Sequence, residues 1–130
     1  MATPGFGGKI LLVDLTSKEI KRLDTDQYAM YGGGHGTYTA LFWEYSVVPG
    51  KWNLDDAFHP LNMVFLMTGA VSGSGIPFAA RTSVSGMSPQ CYPIQWWCHS
   101  NFGGTFSTML KLAGFWLGGK SLNVVRNCPT

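Results

Sequence analysis

At 130 residues the chain has length for one buried core and not for a second. Charged residues make up 12% of it, about half the usual share, against 45% hydrophobic residues, so a lone monomer would have a thinly protected surface and a partner chain is expected over part of it. A formal charge of +2 argues against the broad positive field of a nucleic-acid binder. No run of about 18 apolar residues and no apolar leader in "MATPGFGGKI" supports a membrane span or export, and cytoplasm is the expected compartment.

In chain order, "KILLVDL" (9–15) carries apolar residues densely enough for a strand, "TSK" is a turn, and "EIKRL" (19–23) alternates as the returning strand of a hairpin. Asp24 or Thr25 is placed to cap a short helix over "DQYAMY", which the glycines at 32–34 would stop. From Thr37 to Tyr45 the spacing of Tyr38, Leu41, Phe42 and Tyr45 predicts a helix with one apolar stripe, closed by Pro49 and Gly50. "KWNLDDAFHPLN" reads as a loop. "MVFLMTG" (63–69) predicts a buried strand ending at a glycine.

"RTSVSGMSP" alternates as a further strand, and "CYPIQWWCHS" is rich in β-favouring aromatics, with Pro93 pointing to an edge or bulge. Trp96 and Trp97, being adjacent, would face opposite sides of a strand and cannot form one stacking platform for a sugar. After Gly104, "TFSTMLKLAG" sets Phe106, Met109, Leu110 and Ala113 on one helical face, with Gly114 as the stop. "FWLGGKSLNVVRN" has room for one or two short strands. The three cysteines, Cys91, Cys98 and Cys128, are odd in number and lack C-x-x-C spacing, which favours plain thiols over a structural zinc or iron-sulfur site.

Three glycine breaks stand out: Gly34 and Gly36 before the first long helix, "TGAVSGSGIPFAAR" running from a strand to Arg81, and Gly103 and Gly104 before the last helix. Bare backbone at a helix start exposes unpaired N–H groups to which an anion can come close, and an arginine adds a planar fork of donors that phosphate accepts. Each glycine pair by itself equally suits a tight turn or close packing of helix on sheet. Neither G-x-x-x-x-G-K-[ST] nor a strand-linked G-x-G-x-x-G is present, so the common nucleotide folds are not indicated. His35, His59 and His99 have no partner legible in sequence and read as solvated or hydrogen-bonded residues, and no G-x-S-x-G surrounds Ser72, Ser74 or Ser100. No catalytic residue is assigned.

The segments "GKILLVDLTSKEIKRL", "YGGGHGTYTALFWE", "NMVFLMTGAVSGSGIPFAARTSVSGMSP" and "NFGGTFSTMLKLAG", in that order from about Gly8 to Lys120, resemble the N-terminal domain of the aldehyde:ferredoxin oxidoreductases. These are tungsten enzymes carrying a bis-pterin cofactor. The resemblance implies an α+β fold: a partial β-sheet saddle with two or three short helices, like the first half of that domain, forming one incomplete domain over residues 1–130.

It further implies that Arg81 contacts the phosphate region of the cofactor and that Gly103 and Gly104 let backbone approach the phosphates. Gly34, His35 and Gly36 line the same cofactor, and Asn101 offers a backbone carbonyl to a magnesium ion. His35 stands where the family often has an arginine, and residues are added between Pro89 and Asn101. Family enzymes are several times longer, and their clusters and acid-base groups lie in later domains. The expectation is therefore a small subunit, not catalytic alone, that shares a tungsten or molybdenum bis-pterin and magnesium with a larger catalytic subunit. That partner would hold the [4Fe-4S] cluster, and an electron-carrier subunit or ferredoxin would complete the complex. The rival expectation is a cofactor-free structural or assembly subunit of such a complex.

Overall fold

The computed structural model describes residues 8–90 and 93–120. Two strands, β1 (Lys9–Asp14) and β2 (Glu19–Asp24), form the expected antiparallel hairpin, pairing Lys9 with Asp24 and Asp14 with Glu19. The turn is built locally: an Asp14 carboxylate oxygen accepts the N–H groups of Thr16 at 2.9 Å and Ser17 at 3.2 Å. At the open end the Lys9 ammonium meets the Asp24 carboxylate at 3.0 Å. That hydrogen bond, together with the one from Asp26 N–H, holds the Asp24 carboxyl below the usual carboxylate range.

Asp24 also caps a 3₁₀ segment, Thr25–Tyr31, which Gly32 ends in the left-handed conformation at φ 73°. Helix α1 (His35–Phe42) begins two residues earlier than the spacing predicts and runs on through one π-type turn, Trp43–Val47. Within that turn Ser46 Oγ donates to the Leu61 carbonyl at 2.7 Å, tying it to the loop before the next strand.

Strands β3 (Met63–Thr68), β4 (Thr82–Ser88), β5 (Trp96–Phe102) and β6 (Phe115–Lys120) complete one six-stranded sheet in the order β2-β1-β6-β3-β4-β5. β6 lies between β1 and β3, parallel to the first and antiparallel to the second. β5 is an edge strand, in keeping with Pro93 just ahead of it. Helix α2 (Phe106–Leu112) connects β5 to β6. Residues 91–92 and 121–130, and with them Cys91, Cys128 and any strand beyond Lys120, lie outside the described residues.

Strand register sorts the side chains into two faces, because neighbours across a ladder point the same way and successive residues alternate. Met67, Ser83 and Asn101 lie side by side on one face, followed by Phe65, Ser85 and His99, with Met87 beside Trp97. α1 covers this face. Its Tyr38 ring lies 5.9 Å from Phe65 and 5.6 Å from Trp97, and Phe42 packs edge-on to Trp97 at 4.6 Å. Ile10, Leu12, Tyr28, Leu41, Met63 and Met67 complete this core. Trp96, on the opposite face, is 66% exposed, so the adjacent tryptophans do point apart.

The apolar face expected of α2 does not point inward. Of the expected face, Phe106, Met109 (62%) and Ala113 are exposed and Leu110 is half-buried; Leu112, off that face, is 71% exposed, and the buried residue of this helix is Ser107. The reason lies in the contact α2 makes. Ser107 Oγ donates to the Arg81 carbonyl at 3.3 Å, while Thr108 and Lys111 lie against the loop after β3. That contact turns the polar side of the helix toward the sheet and the apolar side away from it.

Candidate functional site

The three glycine breaks meet at one end of the sheet. Gly33, in the first, forms an antiparallel bridge with Gly69, in the second. The second break lies on α2: the Lys111 ammonium donates to the carbonyls of Gly69 and Ala70, and Gly73 sits against Thr108. Burial of Lys111 there lowers its pKa below the ordinary lysine value. The third break joins through the sheet, since Thr82 pairs with Phe102 and this places Arg81 and Gly103 one residue further along adjoining strands.

Arg81 is exposed, and its guanidinium makes no hydrogen bond or ion pair with any described residue. Asn101 is the penultimate residue of β5, with its side-chain oxygen engaged by Ser83 Oγ at 2.6 Å. Ser83 Oγ is also 2.8 Å from His35 Nε2, so one hydroxyl connects the head of α1 to β4 and β5. The His35 ring lies 5.1 Å from Tyr38 and 5.2 Å from His99. His35 is thus hydrogen-bonded, as the sequence suggested for its histidines, to a partner from distant sequence. His59 is elsewhere, stacked on Trp52 at 5.2 Å.

The glycines divide by what a side chain would meet. At Gly36 a Cβ would overlap the Tyr31 carbonyl oxygen, so close packing alone requires glycine there. Gly34 has φ 51°, a conformation few other residues adopt, and its Cβ would touch Gly69 and Thr68 at 3.8 Å. A Cβ at Gly103 or Gly104 would meet nothing within 4 Å. Gly104 needs glycine for its backbone, at φ 90°, whereas neither packing nor backbone conformation requires glycine at Gly103, and both border open space next to an uncommitted arginine. Exposed glycine backbone beside an exposed guanidinium leaves room for an anionic group such as a phosphate to approach.

Ser83, Ser107, Lys111 and His99 join the cluster without having been singled out as ligand-contacting residues. For Ser83 a signal existed, since the alternation of "RTSVS" puts Ser83 and Ser85 on one face. The partner on that face depends on the register of β4 with β5, which the sequence does not state. Among the described residues, no three His, Cys, Asp or Glu side chains gather to hold a metal ion, and no helix is long and apolar enough to cross a membrane.

Residues 10–118 match the family described as "Aldehyde ferredoxin oxidoreductase, N-terminal domain". The chain belongs to this family. Among solved structures it is similar to a chain of the active site complex BamBC of benzoyl coenzyme A reductase in complex with 1,5-dienoyl-CoA, with 30% sequence identity and a TM-score of 0.75. The match covers 90% of this chain and 17% of that one, so the chain spans about a sixth of its relative's length. Membership of the aldehyde ferredoxin oxidoreductase family makes the chain a relative of pterin–metal oxidoreductases, and its α+β architecture is that of the family's N-terminal domain.

Proposed function

We propose that this chain supplies part of the pterin-phosphate cradle of a tungsten or molybdenum oxidoreductase complex, as a small subunit that is not catalytic alone. The observation that carries the reading is the union of Arg81, whose guanidinium has no partner among the described residues, with Gly103 and Gly104, whose backbone borders open space. Arg81 offers its planar donors to a phosphate, and the glycine amides approach the same group without steric obstruction. Asn101 would offer its backbone carbonyl to a magnesium ion held with the phosphates, while Gly34, His35 and Gly36 would border the cradle at the head of α1.

The cofactor, when bound, supplies two-electron redox chemistry at its metal. A larger partner subunit brings the [4Fe-4S] cluster, the acid-base groups and the remaining half of the saddle, and an electron-carrier subunit or ferredoxin exchanges electrons with it. The substrate is an aldehyde or an acid-level acyl compound.

One observation favours a second reading, a cofactor-free structural subunit: Gly36 is accounted for by packing against Tyr31, and Gly34 and Gly104 by their backbone conformation. Replacing Arg81 with alanine in the complex purified from its source separates the two. The cradle reading expects tungsten or molybdenum and pterin to fall several-fold with subunit composition unchanged. Unaltered metal and pterin would overturn it in favour of the scaffold.

A further inference from the structure

The geometry points to Ser83 as a positioning residue of the cradle: it holds His35 as an open hydrogen-bond acceptor and so selects a ligand that carries an N–H or O–H donor as well as an anion. This deepens the cradle reading and rests on it.

A serine hydroxyl has one proton to give, and an amide oxygen has none. Ser83 Oγ lies 2.6 Å from Asn101 Oδ1, so the Ser83 proton is committed to that bond. The second contact, 2.8 Å from Ser83 Oγ to His35 Nε2, is then a hydrogen bond only if the ring nitrogen donates. His35 therefore carries its proton on Nε2, and in the neutral ring Nδ1 is a bare lone pair. No described residue donates to that Nδ1, and His35 is exposed. The ring is held by its neighbours Tyr38 at 5.1 Å and His99 at 5.2 Å, and Ser83 is itself buried.

By strand register Arg81 follows Ser83, and Gly103 follows Asn101, on one face; the groups that the cradle reading offers there, the guanidinium of Arg81 and the amides of Gly103 and Gly104, are otherwise all donors. A fully ionised oxyanion satisfies those groups but meets a lone pair at His35. A ligand that pairs its phosphate with a heteroaromatic ring N–H, an amino group or a phosphate monoester O–H satisfies both kinds of partner.

The test uses the full chain labelled with ¹⁵N, and the complex purified from its source, each as wild type, Ser83→Ala, Ser83→Thr and Arg81→Ala. For the neutral ring, ring-nitrogen shifts of wild-type His35 are expected to show the Nε2–H tautomer alone. Ser83→Thr, which keeps the hydroxyl, is expected to retain both that tautomer and the bound pterin. Ser83→Ala is expected to give a tautomer mixture and several-fold less pterin, assayed by fluorescence after release. An Nδ1–H ring in the wild type overturns the inference at once. So does Ser83→Ala retaining wild-type pterin while Arg81→Ala loses it, an outcome that leaves the cradle standing. Unchanged pterin in Arg81→Ala sinks the cradle reading instead. If Ser83→Ala does not fold, the wild-type ring shifts still decide.

Discussion

Gly36 and Gly103 look alike in sequence, each a glycine close to a helix start, but their surroundings give them opposite tolerances. A methyl group at Gly36 runs into the Tyr31 carbonyl, which lies in backbone and cannot swing aside. Gly36→Ala is expected to cost about 2 kcal/mol or more, the range for overfilling a packed contact. Gly103 has open space around its would-be Cβ and no positive φ. Gly103→Ala is expected to leave folding stability unchanged or raise it by about 0.5 kcal/mol through the unfolded chain's lost freedom. In the complex, the same methyl group would intrude on the phosphate and lower pterin content. Urea unfolding of both variants, with pterin assayed in the complex, checks the contrast. A Gly103→Ala chain as damaged as Gly36→Ala would mean that the third glycine break is structural like the first.

At the scale of elements, α2 has the more informative surface. Phe102 and Phe106 lie with ring centres 5.5 Å apart, and Met109 and Leu112 continue the exposed apolar side of the helix. Because these side chains gain little from the fold of the isolated chain, Met109→Lys with Leu112→Lys is expected to shift stability by less than about 0.5 kcal/mol. The same change removes apolar surface that drives association and is expected to leave the isolated chain less self-associated. Thermal unfolding and sedimentation velocity test the two halves, and a large loss of stability would show that the helix is buried in a way its exposure denies.

This helix also marks where sequence reasoning stopped. Period, apolar density and capping located the hairpin, the 3₁₀ segment, both helices and β3, because the apolar run in "KILLVDL", the alternation in "EIKRL", the Asp24 cap and the stops at Gly32 and Gly114 are local causes with local effects, whereas the bounds of β5 and β6 were not fixed in this way. The orientation of α2 depends on a non-local contact, Ser107 to the Arg81 carbonyl across 26 residues, and no periodicity carries that information. The candidate site divides in the same way. Arg81, Gly103 and Gly104 were legible as residue types suited to an anion, whereas Ser83 was hidden because its role exists only once β4 and β5 are in register.

For the molecule as a whole, the position of β6 governs cohesion. The strand is last in sequence among the described elements but sits inside the sheet, between a hairpin made early in the chain and the block β3-β4-β5. Without it the hairpin and the block share no ladder, and the core residues Ile10 and Leu12 lose their connection through the sheet to Phe65. A chain ending at Gly114 is expected to lose cooperative unfolding, read as a broad, probe-dependent transition in urea by far-ultraviolet dichroism and tryptophan fluorescence. A sharp, coincident transition in that truncation would show the two parts are held together by α1 instead.

The interior place of β6 also sets an order on biosynthesis. As the polypeptide leaves the ribosome, the inner edge of β1 and the facing edge of β3 stand open, with apolar residues beside them, until the segment from Phe115 to Lys120 emerges. Edges of that kind recruit other strands. The interval before the last strand arrives is therefore when the nascent chain most needs shielding, and slowing translation over residues 100–120 would lengthen that exposure.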